Sequence, residues 1–230
     1  MQSVQSTVGE RSRGQGSHSR IGAVVLAAGA ASRMGHRPKC LLELGGVPLL
    51  RSLCLALSKA GVDEVVVVAG HYAERISQSV KNLPVHWVLN PRPEEGQVAS
   101  LHCGLRALPP HLDAVMVTLA DQPLIHSSDL LALIQAYEQR PPGTQVVQPD
   151  HGGFPGNPVV FSAEVAAELL AGPPGFGCRQ WQTQHPQKVH KWASTNDHYR
   201  TDVDSPEDLD ALFAKTGIRL NWPVDLSGQS

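Results

Sequence analysis

Residues 21–39 read IGAVVLAAGAASRMGHRPK, and this stretch decides the fold. It opens with an apolar run rich in β-branched residues, Val24 and Val25 among them, which is the pattern of a buried strand. The run ends in small residues and passes into a loop. Gly29 and Gly35 bracket that loop, and Arg33 and Lys39 lie within or just beyond it. Small residues let backbone N–H groups approach a ligand closely. Two fixed positive charges then stand where an anionic ligand would sit. The stretch reads as a phosphate cradle or as an ordinary strand-end turn with surface cations. It is not a P-loop, because no Gly-Lys-Ser/Thr follows the glycines, and it lacks the G-x-G-x-x-G of dinucleotide folds.

Working outward, apolar strand patterns at Gly22–Leu26, Glu64–Ala69, Val85–Leu89 and Ala114–Thr118 alternate with helical patterns at Pro48–Ala60, Ala73–Lys81 and Val98–Ala107. Pro48 suits a first helical turn and Gly61 a helix end. Such alternation with strands this apolar predicts a parallel sheet covered on both faces. The second half is less regular. It has helices at Ser127–Gln139 (Ser127 or Ser128 as N-cap), Ala163–Leu170, Cys178–Thr183 and Ser205–Ala214, and strands at Gln145–Gln148, Pro158–Phe161 and Lys188–Trp192. Ligands of such sheets bind beyond the carboxyl ends of the strands. The cation loop and the segment Leu119-Ala-Asp-Gln-Pro123 both follow strands, so one rim should carry them.

Composition narrows the function. The chain has 230 residues, 41% of them hydrophobic and 5% aromatic, with a formal net charge of −2. That is enough for one α/β domain with a substantial core. The absence of a basic surplus argues against a nucleic-acid partner, and no apolar segment is long enough to span a membrane. Residues 1–20 are polar and rich in Ser, Gly, Gln and Arg; they read as a disordered tail or as a gene-start or expression artefact. The domain is expected over 21–216, with a C-terminal tail at 217–230. Cys40, Cys54, Cys103 and Cys178 show no C-x-x-C spacing, which suits a reduced, cytoplasmic setting. Cys40, beside Lys39, reads as a small packing residue more readily than as a reactive thiol. The histidines form no zinc-binding pattern.

Four segments carry candidate chemistry. Asp121 ends an apolar strand, where it either caps the next turn or holds a divalent cation such as Mg²⁺. Asp202 and Asp204, in TDVDSPEDL, share one face if that segment is extended, although Ser205-Pro206-Glu207 accounts for a helix start without a metal. NPRPEEGQVASLHCGL combines a turn with a helix start. There Gly96, Gln97 and Ser100 could lie against a flat ligand, or form a simple loop and cap. In GFPGNPVVF, Gly156 and Asn157 form a loop able to receive a second substrate, and Arg179 lies nearby as an anion contact or a plain surface residue.

LAAGAASRMGHRPK resembles the signature of nucleotidyltransferases with a Rossmann-like domain, broadly L-A-x-G-x-x-x-R-M-G followed by a lysine. Within them the chain is most similar to the molybdenum cofactor cytidylyltransferases. NPRPEEGQVASLHCGL, TLADQPL, GFPGNPVVF and TDVDSPEDL extend the resemblance from about Ile21 to Leu212. It implies a three-layer α/β fold with a mostly parallel central sheet and transfer of a nucleotide to a phosphate-bearing acceptor. Leu26, Ala27, Ala28, Gly29, Arg33, Lys39, Gly96, Gln97 and Ser100 would bind the nucleotide. Arg33, Lys39 and Asp121 would be catalytic, and Asp121 with Asp204, or less favourably Asp202, would hold Mg²⁺. Gly156, Asn157 and Arg179 would face the acceptor, molybdopterin, and a client molybdoenzyme is a further implied partner. The related guanylyltransferases usually read L-A-G-G at the strand end. The extra methyl of Ala28 narrows that pocket and favours CTP over GTP, a difference worth only about 1–3 kcal/mol. Two alternatives remain. One is guanylyl transfer, or a sugar or polyol phosphate acceptor. The other is a non-catalytic protein that delivers cofactor to a molybdoenzyme.

Overall fold

The computed structural model describes residues 19–226; the expected tail at 1–20 falls almost wholly outside them, as do residues 227–230. In chain order the strands are β1 (Ile21–Ala27), β2 (Glu43–Leu44), β3 (Val47–Pro48), β4 (Glu64–Ala69), β5 (His86–Leu89), β6 (Ala114–Leu119), β7 (Val146–His151), β8 (Phe154–Pro155), β9 (Val159–Ser162) and β10 (Val189–Ala193). The helices are α1 (Leu49–Lys59), α2 (Ala73–Ser79), α3 (Gln97–Ala107), α4 (Ser127–Glu138), α5 (Ala163–Ala171), α6 (Cys178–Gln184) and α7 (Pro206–Thr216). The main sheet runs in the order β10-β7-β9-β6-β1-β4-β5, with β8 paired to β7, while β2 and β3 form a separate small hairpin.

β1 lies between β4 and β6, parallel to both. The chain first builds one half of the sheet outward from β1 to β4 and β5, then crosses back to place β6 on the other side. The crevice at the ends of β1 and β6 is therefore the topological switch point of the sheet. β1 is buried on both sides: Ala23 and Val25 join one core, and Val24 joins the other. This is the period-2 geometry of a strand covered on both faces. The first core holds Leu50, Leu53 and Leu57 of α1, Ile76 of α2 and Leu130 and Leu133 of α4. The second holds Leu101 and Leu105 of α3, Val165 and Leu169 of α5 and Trp181 of α6. Each such burial contributes about 1.5–3 kcal/mol, so the layers are held by their apolar faces.

The sheet is mostly parallel, as the resemblance implies, with β9 running antiparallel to both β6 and β7. Its predecessor β7 turns back through a short hairpin instead of a helical crossover, and a hairpin can only deliver an antiparallel strand. The cap of α4 is His126, not Ser127 or Ser128, because the Asp129 carboxylate accepts the His126 backbone N–H at 2.8 Å and fixes the helix start one residue earlier. Pro48 closes the β2–β3 hairpin and precedes the first turn of α1.

A third apolar cluster joins Met34, Leu42, Leu49, Leu124, Val203 and Leu212 to Leu220. It packs the loop after β1 against α7 and the segment beyond. That segment, expected as a tail, lies against the body as far as Leu226: Glu43 and Asn221 exchange backbone hydrogen bonds of 2.8 and 3.0 Å, and Leu226 is buried. Among the described residues no helix is long and apolar enough to cross a membrane.

Candidate active site

The loop after β1 folds into two 3₁₀ turns, Ser32–Met34 and Lys39–Leu41. Ala31, Gly35 and His36 take left-handed backbone angles (φ 51°, 63° and 56°). A non-glycine residue there costs on the order of 1 kcal/mol or more, so the loop needs bracing. The Ala31 carbonyl accepts the N–H groups of Met34 and His36 at 3.0 and 3.1 Å. The Tyr72 hydroxyl lies 3.0 Å from the Ala30 carbonyl and 2.6 Å from that of His36. The Arg37 guanidinium donates to the Met34 carbonyl and stacks 4.4 Å above the Trp222 ring.

This bracing brings Lys39 to the carboxylates. Its ammonium donates to Asp121 Oδ2 at 2.7 Å and also to Asp204 Oδ1. Arg33 donates to Asp204 Oδ2 at 2.9 Å. Asp204 is carried there by the start of α7, where the Asp208 carboxylate accepts the backbone N–H groups of Asp204 and Ser205 and the Ser205 hydroxyl. Asp121 and Val203 are linked through the backbone at 3.0 Å. Thus the end of β6 and the start of α7 present their carboxylates side by side.

Charge follows geometry. Burial works to lower the Lys39 pKa, but the charges and hydrogen bonds of Asp121 and Asp204 outweigh it and raise it above the ordinary lysine value. Burial would raise Asp204, yet Lys39 and Arg33 hold its carboxyl below the usual range. Asp202 has the opposite fate: burial and then the like charges of Asp204 and Asp121 push it up. Burial drives the Cys40 thiol up to about 12, so that it is a neutral packing group at neutral pH.

A cavity of about 460 Å³ opens at this rim. Of the predicted nucleotide residues, Leu26, Ala27, Ala28, Gly29, Lys39, Gly96, Gln97 and Ser100 all line it, together with Asp121, Asp202 and Asp204. Arg33 does not line it and reaches it only through Asp204. Gly96 sits at φ 91° and ψ −171°, a region essentially restricted to glycine, and turns the chain into α3. Ser100 is buried and accepts a hydrogen bond from Asn90 at 3.0 Å. A second cavity, about 1040 Å³, shares Leu26, Gln97 and Leu119 with the first and is lined by Asn157 and Arg179. Gly156 lines neither; it is packed against Tyr199, whose carbonyl oxygen would stand 2.7 Å from an added Cβ.

Sequence reasoning missed several residues here. An added Cβ on Gly70, just after β4, would fall 2.7 Å from the Ala28 carbonyl, so this glycine lets the β1 loop lie beside the end of β4. A glycine directly after a Val-rich strand was its only signal. Gln148, Gln182 and Lys191 line the larger cavity. They come from elements distant in sequence and carry no local motif.

The donor set fits a hard divalent cation. Asp121 Oδ1 is buried with no hydrogen-bond partner, and carboxylate oxygens are the ligands such ions take. Among the described residues no three His, Cys, Asp or Glu side chains gather closely enough to hold a metal by themselves.

A cation-bearing loop and facing carboxylates at the switch point of a mostly parallel, helix-covered sheet define the α/β nucleotidyltransferase fold. The chain belongs to the family of the MobA-like NTP transferase domain, whose model matches residues 23–189. It is 36% identical over 127 residues to the bifunctional protein GlmU of Legionella pneumophila (strain Corby), covering 54% of this chain and 27% of that protein. The chain thus spans about a quarter of the length of the curated relatives it matches. Among solved structures, a nucleotidyl transferase from Methanothermobacter (Mth528) superposes with a TM-score of 0.70 at 24% identity over 85% of this chain and 97% of the other. Rv0371c of Mycobacterium tuberculosis H37Rv does so with a TM-score of 0.70 at 25% identity, over 86% and 100%.

Proposed function

We propose that the protein transfers a cytidylyl group from CTP to molybdopterin, forming a cytosine dinucleotide cofactor and pyrophosphate. The observation that carries nucleotidyl transfer is the meeting of Lys39, Asp121 and Asp204 on the wall of a cavity that shares lining residues with a second, larger one. The smaller cavity would take the triphosphate and base, and the larger one the acceptor, beside Asn157 and Arg179. An oxygen of the acceptor phosphate bonds to the α-phosphorus as the α–β bridging bond breaks, and the electron pair leaves on pyrophosphate. A phosphate nucleophile is already ionised, so the residues need only align the reactants and neutralise charge.

Lys39 and Arg33 would pair with the triphosphate oxygens. Asp121 and Asp204, with Asp202 close by, would hold Mg²⁺, which when bound neutralises the charge that builds on the phosphates. Gly96, Gln97 and Ser100 would lie against the base, where the Ala28 methyl leaves less room for a purine. The family membership supports nucleotidyl transfer; the choice of CTP rests on Ala28, and that of molybdopterin on the resemblance of the signature segments.

The test is to incubate the protein with Mg²⁺, each triphosphate in turn, and molybdopterin or a sugar or polyol phosphate, then to read pyrophosphate and product mass. The expected product is the cytidylylated pterin. A sugar nucleotide instead would reassign the acceptor. Pterin binding without pyrophosphate from any pairing would leave a delivery protein and overturn the enzyme reading. Lys39→Ala is expected to lower kcat by about 10²–10³-fold with the fold intact, measured by pyrophosphate release and circular dichroism.

A further inference from the structure

Asp121 and Asp204 together offer four carboxylate oxygens, and the protein's own cations already occupy three of them. The Lys39 ammonium takes Asp121 Oδ2 and Asp204 Oδ1, and Arg33 takes Asp204 Oδ2; Asp121 Oδ1 alone is buried and unpartnered. Two negative and two positive charges are therefore paired here, with Asp202 on the same cavity wall outside the pairing. Lys39 stands between the two carboxylates that the proposed function assigns to the metal. A divalent ion placed beside that ammonium meets a like charge and only one carboxylate oxygen without a cation partner, itself buried. The ammonium is the movable member: it ends a flexible four-carbon stem and its hydrogen bonds rotate freely. Asp204 is fixed from behind by its N–H bond to Asp208, and Asp121 by its carbonyl bond to the Val203 N–H.

We propose that Lys39 is a placeholder cation, which keeps the metal seat closed until a triphosphate draws the ammonium away. The idea rests on the metal-assisted reading above and extends it to the order of assembly. The incoming triphosphate gives Lys39 and Arg33 a more highly charged partner. Their departure uncovers the carboxylates, and the vacated seat gains phosphate oxygens as additional ligands. Nucleotide and metal then favour each other's binding, and the coupling is reciprocal. Free enzyme takes up little divalent metal and so forms no metal-loaded, nucleotide-free state.

Manganese serves as the probe, followed by the loss of the free-ion electron paramagnetic resonance signal on titration with protein. Without nucleotide, wild-type protein is expected to bind Mn²⁺ at least 10-fold more weakly than Lys39→Met, with Lys39→Gln as a second neutral variant if the first does not fold. Addition of α,β-methylene CTP, which cannot be cleaved at the α–β bond, should bring wild-type protein to tight binding, read as the protein-dependent loss of signal beyond that of the analogue with Mn²⁺ alone. Adding Asp121→Asn to Lys39→Met should remove the gain, which places the ion at the carboxylates. Equal Mn²⁺ affinity of the wild-type and Lys39-neutral proteins without nucleotide would overturn the placeholder and leave the metal reading standing. Failure of every protein to bind Mn²⁺, even with the analogue, would overturn both.

Discussion

Asp204 faces Lys39 and Arg33, and its behaviour with pH follows from them. Its carboxyl is held below the usual range in the folded protein. The stability it contributes is therefore present above the unfolded carboxylate value and lost as pH falls through the folded one. Lys39 is raised above the ordinary lysine value of 10.5, so its share is full below that value and lost as pH rises through the folded one. Asp204→Asn should cost at most about 1 kcal/mol at neutral pH, a deficit that vanishes in acid, as urea denaturation across pH would show. Asp202 has the reverse sign. Its raised carboxyl favours the folded state in acid, and that advantage goes as pH rises through the folded value, because ionised Asp202 meets Asp204 and Asp121. Asp202→Asn should therefore raise the melting temperature at pH 7 and leave it unchanged near pH 3, a contrast that thermal scans can read.

At the scale of elements, the two glycines at the ends of β1 and β4 divide stability from binding. Nothing lies within 4 Å of a Cβ added to Gly29, whereas one added to Gly70 would strike the Ala28 carbonyl at 2.7 Å. Gly70→Ala is expected to lower the melting temperature and weaken nucleotide binding together, because the β1 loop must shift. Gly29→Ala should leave the melting temperature alone and weaken only the nucleotide. Differential scanning fluorimetry with and without CTP distinguishes the two. The same elements explain what the sequence could convey. Strands β1, β4 and β6 were legible because burial on both faces demands unbroken apolar runs, and the β1 loop because its cations and small residues lie next to one another. The β2–β3 hairpin and β8 were not, since two-residue strands have no period to detect. The larger cavity was only half legible: Asn157 and Arg179 stood in recognisable segments, whereas Gln148 and Lys191 meet only through the parallel register of β7 with β10.

At the scale of the whole molecule, the last described segment closes back on the first loop. Asn221 pairs with Glu43, Trp222 lies under Arg37, and Leu226 reaches the core formed by α1, α2 and α4. Leu226→Ala should cost about 2–4 kcal/mol by the usual large-to-small penalty, measured by denaturant unfolding. Deletion of residues 218–230 should raise the KM for the triphosphate as well as lower stability, because it removes the brace of the loop that carries Lys39. The reversed strand β9 has a different kind of consequence. Val146, where β7 begins, lies opposite Phe161, near the end of β9, so the chain enters and leaves the β7–β9 hairpin at neighbouring positions within the sheet. Residues 146–161 are thus a cassette with adjoining splice points. Exchanging that cassette among relatives would be a compact route to graft new partners onto an unaltered donor half, a modularity that a helical crossover at the same position would forbid.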